Sequence, residues 1–160
     1  MIESLKLNEF ILFNSLDIEF YKGLNVLTGE TGSGKSLIIK AIKFITDDIK
    51  IEPSEKTIVE ITIKELNNNA IDFLKQNDFI DSENNVTIKK ESFKNKPSKY
   101  YINEYKANKK LVKELLSLVI VFVDQNSKSI IEKDSFFYKK RRYSFFILYS
   151  SLAKCVLTNL

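Results

Sequence analysis

Gly29-Glu30-Thr31-Gly32-Ser33-Gly34-Lys35-Ser36 satisfies the phosphate-loop pattern G-x-x-x-x-G-K-[ST] at every position. Few features constrain a fold so narrowly, because such a loop has to leave a buried strand and open a helix. Both flanks fit. Leu24-Asn25-Val26-Leu27-Thr28 reads as a short buried strand, and the mostly apolar run Leu37-Ile38-Ile39-Lys40-Ala41-Ile42-Lys43-Phe44-Ile45 predicts a helix.

The residue types follow from the chemistry. Backbone N–H groups can wrap a polyphosphate only where Cβ atoms leave the approach open and some residues reach positive φ, so glycines are spaced through the turn. Gly29, Gly32 and Gly34 supply them. The helix that opens at Lys35 offers unpaired N–H groups and a positive dipole end. The Lys35 ammonium is expected to reach the β and γ oxygens of a nucleotide, and the Ser36 hydroxyl to contact Mg²⁺. Glu30, Thr31 and Ser33 complete the cradle. A chance match is expected in on the order of one in a few hundred chains of this length, and all four glycines of this chain fall between Gly23 and Gly34.

Composition narrows the chemistry further. With 160 residues, 44% of them hydrophobic, the chain can build one domain with a real core. Lys+Arg 25 against Asp+Glu 21 gives +4, an excess that nucleotide anions alone can account for. The absence of histidine removes every imidazole-based mechanism, and the single cysteine, Cys155, removes internal disulfides and cysteine-rich zinc sites. Glu3 stands early and no basic segment leads into a long apolar one, so a cytoplasmic location is expected.

Along the chain, Ile2–Asn8 and Leu16–Phe20 alternate apolar and polar residues as antiparallel, half-buried strands do, and Tyr21-Lys22-Gly23 turns the chain into the loop strand. Thr57–Ile63, Val86–Ile88 and Lys99–Ile102 read as further strands, and Ala70–Gln76 as a short helix. Asn108 is placed to cap a helix running to Leu118, whose Leu111, Val112, Leu115 and Leu116 form a core stripe. Val119–Val123 is continuously apolar, as in a strand buried on both faces of a parallel sheet, and Asp124-Gln125 sits at its carboxyl end. Ligands of open α/β sheets bind there, which makes Asp124 and Gln125 a second site candidate, expected to face the phosphate loop.

Lys89, Lys90, Lys94, Lys96 and Lys99 gather around Pro97. A solvated β-turn is the favoured reading over a DNA-phosphate patch. The division expected is a nucleotide-binding part over 1–135 and a tail over 136–160. In the tail a basic block, Lys139-Lys140-Arg141-Arg142, precedes the apolar run from Phe145. That run is too short for a bilayer, which needs about 20 apolar residues, so no membrane partner is expected. A short helix on the core or a segment unrelated to the fold is favoured for it over a surface on membrane or DNA.

Taken together, Leu7–Phe13, Leu16–Phe20 and Gly23–Ser36 resemble the amino terminus of the bacterial RecN family of DNA repair proteins, and Glu30-Thr31 between the first two loop glycines is the informative detail. The order of Val86–Lys90, Ser98–Asn103 and the helix-strand pair ending at Gln125 extends the likeness over about residues 1–135. The resemblance implies an α/β fold, a P-loop NTPase of the ABC/SMC-type ATPase head. This chain would be its amino-terminal half, with an antiparallel β subdomain. It implies ATP and Mg²⁺ as ligands, Lys35 and Gln125 as catalytic residues, and Ser36, Gln125 and Asp124 as the metal-facing groups. A role of Asp124 as the Mg²⁺ partner of a Walker B strand stays open beside the glutamine-loop reading. In the family, a carboxyl-terminal half carries the signature and the catalytic Glu, and two heads sandwich ATP. Neither a glycine signature nor a histidine exists after residue 35 here, so binding without competent hydrolysis is expected. The implied partners are ATP, a carboxyl-terminal half-head or second head, and DNA once assembled. Two other readings are a stand-alone ATP-binding or regulatory module and, ranked low, a small kinase using Asp124.

Overall fold

The computed structural model describes residues 1–28, 30, 32–46, 49–53, 55–79, 84–123, 144–149 and 154–159. Among these residues there are two sheets and three helices. The first sheet has six strands, β1 (Ile2–Phe10), β2 (Phe13–Glu19), β4 (Lys56–Lys64), β5 (Asn85–Phe93), β6 (Lys96–Ile102) and β7 (Tyr105–Ala107), in the order β2-β1-β4-β5-β6-β7. Every pairing in it is antiparallel. The second sheet has four strands, β3 (Gly23–Leu27), β8 (Ile120–Val123), β9 (Ser144–Tyr149) and β10 (Lys154–Asn159), in the order β3-β10-β9-β8.

Period-two patterning sorts the first sheet into an inner and an outer face. Val59, Ile61 and Ile63 of β4 and Val86 and Ile88 of β5 are fully buried, together with Ile2, Leu5 and Leu7 of β1. The outer face carries charges in register: Asp17, Lys6, Glu60 and Lys89 stand opposite one another across four strands, and Tyr101 follows Lys89. Opposite signs alternate along that row, which suits a solvated face.

Three helices cover the inner side. α1 (Lys35–Ile45) follows the phosphate loop and buries Ile38, Ile39, Ala41, Ile42, Phe44 and Ile45. Each large apolar side chain there contributes about 1.5–3 kcal/mol. α1 lies against both β4 and β10, so it bridges the two sheets. α2 (Asn68–Gln76) and α3 (Lys109–Val119) pack on each other, and α3 also meets β6 and β8. Both are capped by asparagine: Asn67 accepts a hydrogen bond from the N–H of Ala70, and Asn108 accepts one from that of Leu111.

The predicted elements are present with shifted ends: β1, β4, β5 and β6 run longer than expected, β2 and β3 begin earlier and stop one residue short, and Val119 ends α3 instead of opening β8. β3 is not the buried strand expected, because alternation turns Leu24 (65% exposed) and Val26 (45%) to solvent. Two findings go beyond the prediction. β7 forms through a two-residue turn at Asn103 and Glu104, both at positive φ (47° and 67°), and the Asn103 side chain holds it by accepting from the N–H of Thr87 and donating to Phe79 O. The tail contributes β9 and β10, which make the second sheet mixed: β9 runs parallel to β8, while β10 is antiparallel to both β9 and β3. One lysine also leaves the expected cluster. Lys90 is only 2% exposed, because alternation along β5 turns it to the inner face with Ile88 and Ser92.

Candidate functional site: the phosphate loop at the start of α1

β3 delivers the chain to the loop, and its approach is fixed by Asn25. That side chain accepts from the N–H of Tyr21 (2.9 Å) and donates to the carbonyls of Tyr21 (2.8 Å) and Gly23 (3.3 Å), pinning the turn before the strand. Among the described loop residues, Gly32 and Gly34 both have φ of +88°, a left-handed conformation that a side chain would strain. Among the described residues, nothing lies within 4 Å of where a Cβ on Gly32 would stand. The N–H of Ser33 donates to the carbonyl of Glu30 at 3.2 Å, closing the turn, and the N–H of Leu37 donates to Gly34 O at 2.9 Å, starting the helix.

The electrostatics are those of an anion site. Gly34 is the N-cap of α1 and gives no side-chain cap, and no acidic residue occupies the first turn. The positive end of the helix dipole is therefore left uncompensated by the helix's own side chains. Lys35 adds a full charge at the same place. Its ammonium donates to the carbonyl of Glu30 and to Ser33 Oγ (2.9 Å), which folds it back over the loop. Ser33 and Ser36 are exposed and Lys35 half-buried, so all three can meet a ligand. A polyphosphate fits this donor set: backbone N–H groups in a glycine turn, a helix N-terminus and a lysine. Ser36 can add a hydroxyl for a metal bound to the phosphates. Among the described residues, no group of three or more His, Cys, Asp or Glu could hold a metal by itself.

Two supports of the loop escape a reading of the motif alone. The first is Phe13 at the β1–β2 turn. A Cβ on Gly34 would stand 2.9 Å from Cζ of the Phe13 ring, so the hairpin end presses directly on the loop. Ile11 and Leu12, which make that turn, are exposed beside it. An aromatic following a hydrophobic turn was a signal available in the sequence, but only the fold brings it to Gly34. The second support is Lys90. Its ammonium donates to Phe44 O at 2.7 Å, at the carboxyl end of α1, and lies 3.7 Å from the centre of the Phe44 ring. Phe10 meets Phe44 edge-on, with centroids 5.7 Å apart. A cation at the negative end of the helix dipole and an aromatic pair thus fasten α1 to the six-stranded sheet.

Other sequence candidates are distributed differently. Gly29, Thr31 and the two residues expected to face the loop, Asp124 and Gln125, lie outside the described residues. Of the lysines near Pro97, Lys94 and Lys96 are exposed at the β5–β6 turn, Lys99 stands 5.4 Å from the Phe93 ring, and Lys89 stands 4.9 Å from that of Tyr101. Two clefts on the outer face of the first sheet are lined by polar and charged residues such as Lys6, Asp17, Glu60 and Lys89, and neither includes a loop residue. No helix among the described residues is long and apolar enough to cross a membrane.

With this geometry in hand, residues 1–127 match the family described as the RecF/RecN/SMC N-terminal domain. The chain belongs to that family. Among its relatives, the DNA repair protein RecN of Rickettsia prowazekii is 36% identical over 132 residues, which cover 79% of this chain and 24% of the relative. RecN of Aquifex aeolicus is 33% identical over 126 residues, covering 79% and 21%. RecN of Synechocystis reaches 53%, over 45 residues. The chain thus spans about a quarter of the length of the curated relatives that it matches most fully. Among solved structures, an SMC ATPase described for ATP-driven dimerization and DNA-stimulated activation superposes with a TM-score of 0.59 at 24% identity, over 73% of this chain and 78% of that one. The Smc head domain of Pyrococcus furiosus, bound to the C-terminal domain of ScpA, gives 0.60 at 22% identity, over 82% and 38%. Those likenesses establish the ATPase-head fold, which for this RecF/RecN/SMC member combines an antiparallel β-sheet with the strand, loop and helix of the phosphate site.

Proposed function

We propose that this chain is the ATP-binding part of a RecN-like ATPase that acts in DNA double-strand break repair or recombination, and that it is incomplete for hydrolysis. The observation that carries the reading is the loop itself: two left-handed glycines at the opening of α1, with Lys35 folded over the Glu30 carbonyl and Ser33 hydroxyl. The RecN relatives support the repair role, since they are named DNA repair proteins.

In this reading the loop residues Gly29 to Gly34 hold the phosphates through backbone N–H groups. Lys35 neutralises the β and γ oxygens as charge shifts between them. Ser36 would hold Mg²⁺, which would screen the phosphate charge when bound, and Asp124 or Gln125 would supply a further metal-facing group. Phosphoryl transfer is catalysed by positioning and charge neutralisation. In this reading the chain provides the cradle, and the carboxylate and imidazole that orient water come from elsewhere. A carboxyl-terminal half-head or a second head would provide them, with DNA engaged in the assembled cytoplasmic protein. The parts proposed are the amino-terminal part of the ATPase head over 1–135 and a carboxyl-terminal tail over 136–160, whose β9 and β10 pair into the sheet of β3 and β8.

A stand-alone ATP-binding module without turnover is the second reading, favoured by the pairing of β9 and β10 with β3 and β8 inside one chain. Phosphate release separates binding from turnover. The chain alone, with Mg-ATP, is expected to release phosphate no faster than its Lys35→Ala variant. Steady Mg-dependent release that Lys35→Ala loses would show that this chain hydrolyses ATP by itself.

A further inference from the structure

β3 carries the phosphate loop and β8 follows α3, yet the two are not neighbours in their sheet. Three strand spacings separate them, about 14 Å at 4.7–4.9 Å per step. Within residues 1–127, the part that matches the family, this is a gap two strands wide with an edge of β3 facing an edge of β8. Edges of that kind present rows of N–H and C=O groups that need partners. The strands that fill the gap, β9 and β10, both lie beyond residue 127.

The fit is complete in register. Each residue of β3 from Gly23 to Leu27 has a partner in β10, from Asn159 to Cys155. Each residue of β8 from Ile120 to Val123 has a partner in β9, from Ser144 to Ile147. β9 and β10 pair with each other from Ser144 opposite Asn159 to Tyr149 opposite Lys154. The chain lengths agree with these directions. Residues 150–153 suffice for an antiparallel hairpin, and 124–143 for the crossover that parallel strands need. Composition agrees too, since Phe145, Phe146, Ile147, Tyr149 and Val156 are strand-favouring residues.

We propose that the carboxyl-terminal hairpin is a built-in sheet insert. It closes, in cis, the gap between the phosphate-loop strand and β8, and it excludes the strands of any partner chain from that place. Its pairing reaches Leu27, two residues before Gly29, so it also holds the strand that aims the loop. A carboxyl-terminal half-head that adds strands to this sheet has to displace the hairpin first. The pairing does not rest on nucleotide binding; a chain that bound no ATP would close its sheet in the same way.

Cys155 makes the register testable in the full chain, because it is the only cysteine and stands opposite Leu27. Directly opposed antiparallel positions have Cα atoms about 4.5–5.5 Å apart, within disulfide range. On oxidation with diamide at low protein concentration, Leu27→Cys is expected to lose both free thiols and to remain a monomer with a shifted mobility on a non-reducing gel. Val26→Cys, one position out of register, is expected to keep both thiols. Retention of both thiols in Leu27→Cys, or disulfides only between chains, overturns the proposal. Hydrogen exchange of the unsubstituted chain gives a second reading that no substitution can disturb. The amides of β10, flanked by a strand on each side, are expected to exchange at least tenfold more slowly than an unstructured peptide of the same sequence. Exchange at the unstructured rate overturns the insert whatever the cysteine variants do.

Discussion

At the scale of single residues, the loop is over-determined at Gly34. Its φ of +88° disfavours any side chain, and the Phe13 ring would crowd a Cβ at 2.9 Å. Gly34→Ala is therefore expected to cost about 1–3 kcal/mol of stability and to weaken nucleotide binding, as read by urea unfolding and by titration with a fluorescent ATP analogue. Adding Phe13→Ala relieves the crowding and not the backbone strain, so the double variant is expected to recover only part of the loss. Full recovery would mean that φ at Gly34 is not strained. Lys90 is a second sensitive residue. Replacing it with alanine removes a hydrogen bond to Phe44 O and leaves a cavity beside Tyr100 and Phe44, a change expected to cost about 2–5 kcal/mol in chemical unfolding. The phosphate-loop residues were legible in the sequence because backbone chemistry dictates their types. Phe13 and Lys90 were not, because their roles depend on which strand faces which helix. A lysine in an alternating strand looks the same whether it points to water or to a helix end.

At the scale of elements, the cap expected at Asn108 is present, and Asn67 provides a second cap that the sequence reading did not name. Asn67 caps α2 through the N–H of Ala70 and also donates to Leu118 O near the end of α3, so one side chain joins two helices. Asn67→Ala is expected to lower stability by about 1–3 kcal/mol. Asn67→Asp, which keeps the cap and loses the donor to Leu118, is expected to fall between the two in the same unfolding experiment. The strands of the first sheet were legible from alternation, since the face toward the helices has to be apolar and the other need not be. β7 was not, because the turn that makes it uses Asn-Glu at positive φ instead of a glycine, and the stabilising contacts from Asn103 go to Thr87 and Phe79, far away in the chain. β9 and β10 were hidden for a related reason. Their apolar runs fit a strand, a helix on the core or a surface segment equally well until a neighbouring strand edge is known.

At the scale of the whole molecule, the strand that carries the phosphate loop belongs to a sheet that contains the carboxyl-terminal strands β9 and β10. Within residues 1–127, β3 and β8 stand two strands apart, and β9 and β10 lie between them. The family and the loop chemistry came from a contiguous motif, so they could be read directly. The closure of the sheet joins residues 23–27 to residues 154–159, and no local pattern announces a pairing across that separation. The claim on which the rest depends is that this chain binds a nucleotide through its phosphate loop. Isothermal titration of the full chain with Mg-ATP, beside the Lys35→Ala variant under the same conditions, tests it most directly. The account predicts saturable binding at one site per chain that is lost in Lys35→Ala, while both proteins keep the same circular dichroism spectrum. Equal binding by the two proteins, or none by the folded parent, would contradict it.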